Sequence, residues 1–494
     1  MTADAQQVDN AARNAMRNSP SAPDAQLPVR HAGLSHSSLR RGLEPVVSIH
    51  FSRSFYNLIL LPGSHPSFRD NWLSDILSSM TRSRSLYFSV LACAASHLHF
   101  TDAKPQMQEL AIRYYSDAVR SLSRQLASGP STSLVPDGQD DVDVLMPVMF
   151  LYLHGFLGLG TYRDIPRHVD AAMRILSARF LDTGATLERT VDKLAVESVL
   201  YQVFIVATGI WSERAPRLDQ NSNGYVDFWI RAERLLQASS FFPDESILDS
   251  PVLGVPVQLL RLVMSICRGI HRPDTIDAAA MRDLRAQVDW WCDAMGLGTT
   301  TTTAAAAAAA AAATPATASG PDTSATSSVS PSPASPSPSC SSSSSSSSSS
   351  GCSSCSSSST TSDPALINRD SSHLYALVSS LLLDRLESGD TKLCRPVDPN
   401  GKDLPQAARA MRIVHAHSAD EAWTSSYLGG WPLYTLGFLV DDPRSVEAIV
   451  EDMRNRWTRT RFFIIARYIH DMEVARGLGH TGAIPPEAHR WLAL

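Results

Sequence analysis

Between Thr299 and Ser350 the sequence stops encoding a core. Thr299–Thr303 is a run of Thr, Ala304–Ala313 a run of Ala, Ser330–Pro338 alternates Ser and Pro, and Ser341–Ser350 is a run of Ser. Such a stretch has too few large apolar side chains to offset the entropy of ordering it. The Ala run has transient helix propensity, and the remainder reads as a flexible spacer. Whatever folds must therefore be built from the sequence on either side. That sequence divides into an Ala-, Ser- and Pro-rich arm over residues 1–47, a helical part over 48–295, the low-complexity insertion over 296–363, a second helical part over 364–476 and a tail over 477–494. Loop-closure entropy grows only as the logarithm of length, about 0.6 kcal/mol per doubling. An insertion of this size is thus compatible with one domain whose two parts pack together, and that arrangement is expected.

The flanking parts carry helical periodicity and no series of alternating strands. In Pro105–Leu126 the residues Met107, Leu110, Ala111, Tyr114, Ala118 and Leu122 recur at three- and four-residue spacing, and Leu126 continues the stripe. Pro105 suits a first helical turn, where its missing N–H costs nothing. Val144–Leu159 is apolar on nearly all sides, as a buried helix is, and the short link to Arg167–Phe180 predicts an antiparallel pair. Further helices are predicted over Leu187–Gly209, Gly224–Ala238, Val255–Gly269 and Asp277–Met295. Asp274 or Thr275 is the expected cap of the last of these. After the insertion come Ala365–Glu387, Leu404–Leu428 and Pro443–Val474, the last capped by Asp442. Pro45–Ile49 and Val203–Ala207 are strand-like but isolated. The expected fold class is all-α, a helical bundle or array interrupted by the Thr/Ala/Ser/Pro-rich insertion.

Composition narrows the function classes. There are 43 basic and 49 acidic residues, a formal net charge of -6, so no overall basic field favours wrapping nucleic acid. Met1–Pro20 has no apolar signal core, and no apolar run is long enough to span a bilayer. Seven Cys are too few for a disulfide scaffold, so an intracellular, reducing setting is expected.

No catalytic, cofactor or metal constellation stands out. Cys352 and Cys355 form a C-x-x-C pair inside the Ser tract with no second pair, whereas a closed zinc site needs four ligands on a folded frame. Cys93, Cys267 and Cys292 fall beside apolar residues, where a thiol behaves as a small hydrophobe. Asp140, Asp141 and Asp143 precede a helix instead of lining one of its faces, and a helix start favours acids through its dipole. His97 and His99, like His415 and His417, are two residues apart and so point to different faces. His154 lies within an apolar run and reads as a satisfied core histidine. Gly155, Gly158 and Gly160 have no strand–turn–helix context for a phosphate loop. Arg456, Arg459 and Arg461 cluster on the last predicted helix, where long stems cover apolar surface. The arm residues Arg13, Arg17, Arg30, Arg40 and Arg41 are diluted by Asp4, Asp9 and Asp24.

Several local sequences, in their order, resemble the fungal-specific transcription factor domain, the helical regulatory region that follows Zn2Cys6 DNA-binding clusters in many fungal activators. Leu86–His99 (LYFSVLACAASHLH) is similar to a hydrophobic helix of that family. It is followed by the A-x-x-Y-Y-x-x-A-V-x-x-L pattern of Ala111–Leu122 and by His168–Leu176 (HVDAAMRIL), with Ala171 where the family has Gly. Trp431–Gly437 (WPLYTLG) resembles the family's W-P-L-F-x-x-G segment. The resemblance covers residues 48–295 and 364–476. It implies a transcriptional regulator of metabolic or secondary-metabolism genes, nuclear, acting as a homodimer or with a heteromeric partner, with a small-molecule effector of unknown kind and no enzyme activity.

The family's zinc cluster, C-x2-C-x6-C repeated, is missing: residues 1–92 contain no Cys. That puts direct DNA contact in question. It leaves a regulator acting through partners, an upstream exon that carries the cluster, or a domain that senses a metabolite and restrains a partner. A protein–protein interaction or dimerisation module without DNA binding is the alternative. A helical enzyme of the prenyl-diphosphate type, using Asp140, Asp141 and Asp143, is a third reading.

Overall fold

The computed structural model describes residues 36–102, 104–127, 142–156, 161–209, 222–239, 250–297, 363–389 and 404–477. Most of the insertion, most of the tail, most of the arm, Asp140, Asp141, Gly158, Gly160, Cys352 and Cys355 lie outside these residues. Among the described residues there are helices and no strands. The helices are α1 His36–His50, α2 Pro66–Arg82, α3 Arg84–Asp102, α4 Pro105–Ala127, α5 Val142–Phe156 and α6 Ile165–Leu176. Then come α7 Thr190–Thr208, α8 Ser222–Gln237, α9 Val257–His271 and α10 Ala278–Ala294. After the insertion follow α11 Pro364–Glu387, α12 Pro405–Ala416, α13 Glu421–Ser425, α14 Gly430–Leu439, α15 Pro443–Thr460 and α16 Phe463–Arg476. Met1–Pro45 is a unit of its own, of which His36–Pro45 is described as helix. Val46–Leu494 forms a second, compact unit.

The apolar stripes become the core. On α4, Met107, Leu110, Ala111, Tyr114, Ala118 and Leu122 are buried, and α3 packs along them. Leu126, which continues the stripe in sequence, is exposed in the last turn. Two helices have no polar face. On α7 the residues from Val191 to Leu200 are all buried, and on α14 all ten residues are. A helix covered on every side sits in the middle of its unit.

Acidic N-caps open several helices, at Asp442 as the sequence indicates. Asp363 precedes Pro364 and accepts from the N–H of Ala365 at 3.0 Å. Asp442 precedes Pro443 and accepts from the N–H of Ser445 at 2.8 Å. The cap of α10 is Asp277, accepting from Ala279 at 3.0 Å and Ala280 at 2.7 Å. Asp274 and Thr275 belong instead to a separate 3-10 turn, Pro273–Thr275.

Four expectations are corrected. α1 starts at His36, inside the arm expected over residues 1–47. Leu39, Leu43 and Val47 keep a four-residue period through Pro45, which ends in the buried Val47. The strand-like stretches Pro45–Ile49 and Val203–Ala207 are helical, as parts of α1 and α7. The single helix expected over Leu404–Leu428 is two helices and a turn. His417 Nε2 donates to Asp370 at 2.8 Å, and Asp420 caps α13 by accepting from the N–H of Ala422 at 2.9 Å. The single helix expected over Pro443–Val474 breaks between α15 and α16. Arg461 is left-handed there (φ 51°) and Phe462 extended. The break sends two adjacent rings to different partners. Phe462 meets Phe55 and His97, while Phe463 stacks on Phe100.

Helices from before and after residues 298–362 pack on each other directly. Arg285 of α10 donates to Asp384 of α11 at 2.6 Å and to Glu387 at 3.0 and 2.6 Å. His97 of α3 bonds the carbonyl of Thr460 at 3.0 Å. Phe204 of α7 meets Trp431 of α14 edge-on at 5.1 Å, and Trp431 stacks on Tyr375 of α11 at 5.7 Å.

Candidate functional site: an aromatic pocket against α7

The W-P-L-Y-T-L-G segment is α14, and its sequence is dictated by packing. Gly437 lies against Met472, whose Sδ would stand 2.4 Å from an added Cβ. Gly429, just before α14, faces the guanidinium of Arg456 in the same way, at 2.5 Å. Arg456 is 1% exposed and is paired on α15 with Asp452 at 2.6 Å. Its Nη1 donates to the carbonyl of Ser426 at 2.5 Å, and its guanidinium lies 4.8 Å from the Trp423 ring. Trp423 Nε1 donates to the other oxygen of Asp452 at 2.8 Å, and the His417 ring stacks on Trp423 at 4.5 Å. This buried network fixes the turn that leads into α14.

A second buried carboxylate fixes the opposite wall. Glu197 of α7 accepts from Ser250 Oγ at 2.5 Å and from the N–H groups of Val252 and Leu253 at 3.1 and 3.4 Å. Burial pushes its carboxyl above the ordinary range, against the opposing pull of Lys193 and these hydrogen bonds. The bonds hold Val252 beside α7. Tyr427 then donates its O–H to the Val252 carbonyl at 2.7 Å, linking this wall to the start of α14.

Between these walls lies a cavity of about 80 Å³. One stripe of α7 forms its floor: Leu194, Ser198, Tyr201, Gln202 and Ile205. Phe55, Ile59 and Trp72 close one side, Leu153 and Phe156 another, and Trp431, Phe462 and Tyr468 a third. No Asp, Glu, Lys, Arg or His lines it. Ser198 is satisfied by Tyr152, at 2.6 Å. Gln202 Oε1, Trp431 Nε1 and Trp72 Nε1 are buried and have no hydrogen-bond partner. Burial pushes the Tyr201 and Tyr427 phenols up, so both stay protonated at every ordinary pH.

The residues weighed from sequence fall elsewhere. Cys93 and Cys267 are buried thiols pushed up by burial, and Cys292 is half-buried with its thiol pushed up to about 11. His97 and His99 are both buried, and His97 Nδ1 faces His50 Nε2 at 2.7 Å. His154 is fully buried, bonded to Thr161 at 2.9 Å and stacked on Tyr115, and burial pushes its imidazole down to about 3. His417 is buried in the network around Trp423, whereas His415 is exposed. The three clustered arginines part company. Arg456 is buried, Arg459 pairs at the surface with Glu421, and Arg461 lies over Trp457. They form no common basic face. Among the described residues no group of three or more His, Cys, Asp or Glu could hold a metal, and no helix is long and apolar enough to cross a membrane. No pocket is legible in the sequence, where Trp431 stands out only as part of the W-P-L-Y-T-L-G segment. The available signal is three polar residues, Glu197, Ser198 and Gln202, in an otherwise apolar stretch of α7.

The described residues form a helical unit with no strands. Residues 49–275 match the fungal specific transcription factor domain, a regulatory and non-catalytic domain. The match ends shortly after α9, so the resemblance of Trp431–Gly437 lies outside it. Searches of the curated proteins and of the solved structures returned no match.

Proposed function

We propose that this chain is a nuclear transcriptional regulator of metabolic or secondary-metabolism genes that reaches promoters through partner proteins, as a homodimer or in a heteromeric complex. The observation that carries the reading is the fungal specific transcription factor domain over residues 49–275. The partner requirement follows from the seven Cys, which nowhere in this sequence follow the C-x2-C-x6-C spacing of the zinc cluster. In this reading α11–α16 complete the same regulatory domain and residues 296–363 are an insertion in it. The packing of α10 on α11 and of α3 on the end of α15 supports that placement.

Genome-wide chromatin occupancy of the tagged, endogenously expressed protein tests the reading. Sharp promoter peaks that vanish when a co-purifying DNA-binding partner is deleted are expected. A protein excluded from the nucleus, or one with no enriched sites, overturns it and leaves an interaction module without a role at DNA.

A further inference from the structure

The pocket against α7 has a wall chemistry that selects a ligand. Its surroundings are aromatic and aliphatic, with no ionisable carboxylate, ammonium, guanidinium or imidazole among the lining residues. An ionised ligand entering there would lose its hydration and find no counter-charge, at a cost that burial in an apolar site makes prohibitive. The walls are not wholly apolar, however. Gln202 is 4% exposed, Trp431 1% and Trp72 3%, and each contributes one buried polar atom that nothing in the protein satisfies; Gln202 is the one among them that can accept. Buried polar groups are satisfied in the great majority of cases, and an orphan on a cavity wall points to a partner from outside the chain. Trp431 Nε1 can only donate. Gln202 offers an acceptor, or a donor with the amide turned over. A hydroxyl group meets both atoms in either orientation.

Size gives the third constraint. The cavity, at about 80 Å³, is smaller than the roughly 150 Å³ engineered cavity that accepts benzene. One ring enters only if a rim side chain turns outward. Leu153, Phe156, Tyr427 and Phe462, with Tyr201 at the outer end of the α7 stripe, are the lining residues left half-exposed, so the rim can yield while the buried Leu194, Ser198 and Gln202 stay fixed. A fused multi-ring or long-chain lipid does not fit.

We propose that this pocket binds a small, uncharged, single-ring compound bearing one hydroxyl group, with the hydroxyl between Gln202 and Trp431. The ligand would touch α7, which lies inside the matched domain, and α14 and α16, which lie beyond it, and so would stiffen the joint between them. The proposal concerns binding and stands whether or not the chain acts at promoters.

The test uses the full chain and three probes, 4-methylphenol, benzyl alcohol and cyclohexanol, with benzoate and toluene as charged and hydroxyl-free controls. Binding to the folded state raises the thermal midpoint in proportion to occupancy. At millimolar concentration at least one hydroxylated probe is expected to raise it, benzoate is not, and toluene less than the probe. Calorimetry on Gln202→Leu is expected to show about tenfold weaker binding of the hydroxylated probe, the loss of one hydrogen bond from a buried group, with toluene binding retained as evidence that the pocket is folded. Ile205→Phe, which fills the cavity from its edge, is expected to abolish binding of every probe while leaving the helical circular dichroism unchanged. The proposal is overturned if none of the three hydroxylated probes binds, if benzoate binds as tightly as they do, or if Gln202→Leu leaves their affinity unchanged.

Discussion

Acidification should loosen the contact between α3 and the end of α15, and one histidine sets the size of the effect. His97 is 4% exposed and bonds the Thr460 carbonyl through Nε2. A carbonyl only accepts, so Nε2 carries the proton and Nδ1 is bare. The bare Nδ1 accepts from His50 Nε2 at 2.7 Å. Protonating His97 would place a second N–H against that donor, in a buried site that also feels Arg461. Burial first, then His50 and Arg461, push the His97 imidazole from 6.5 down to about 4, against the Thr460 bond that favours its charge. Because the folded-state value is depressed, the contribution is fully present above pH 6.5 and is lost as pH falls towards 4. At about 1.4 kcal/mol per pH unit, the loss between pH 7 and pH 4 is about 3 kcal/mol. The assay is denaturant unfolding at half-unit pH steps for the natural protein and for His97→Gln, which still donates to Thr460 but does not titrate. His154 and the groups that do not touch His97 contribute to both proteins, so the difference between the two curves reports His97 together with its hydrogen-bonded neighbour His50. The natural protein should lose about 3 kcal/mol more than the variant over this range. Parallel curves would refute the assignment of a neutral, buried His97.

Two further substitutions probe the frame of the pocket. Arg456→Met leaves Asp452 buried and short of its partner, and should cost about 3–5 kcal/mol in denaturant unfolding, with Arg456→Met combined with Asp452→Leu recovering a large part. A double variant no more stable than the single one counts against the pair as the cause. Gly437→Ala forces a Cβ against Met472 and should cost about 1–3 kcal/mol of stability, relieved when Met472→Ala is added; no relief would mean that the glycine is needed for another reason.

The helices were legible in sequence because their signals are local. The α4 stripe, the cap at Asp442 and the opening prolines Pro105 and Pro443 need only neighbours within one turn. The two breaks were not legible because distant residues make them. Asp370 holds His417 across forty-seven positions, and Phe462 is drawn to Phe55 and His97 from the other end of the chain. The arginine cluster shows the same limit. Arg456, Arg459 and Arg461 are nearly adjacent in sequence, yet one is buried, one is at the surface and one turns the backbone left-handed.

The pocket shows why a site of this kind is hard to read from one sequence. Glu197 and Gln202 lie five residues apart on the same apolar helix, and both are buried. By pattern alone Glu197 is the more conspicuous, being an ionisable group in a core. The structure reverses that ranking. Glu197 has three hydrogen bonds from residues 250–253 and is spent on holding a wall in place. Gln202, the blander residue, has an oxygen with no partner and a cavity in front of it. Whether a buried polar residue serves the fold or awaits a ligand depends on what meets its free atom, and for α7 those partners come from segments more than fifty residues away. Periodicity identifies the helix that carries the site; only the tertiary contacts separate the residue that builds it from the residue left open within it.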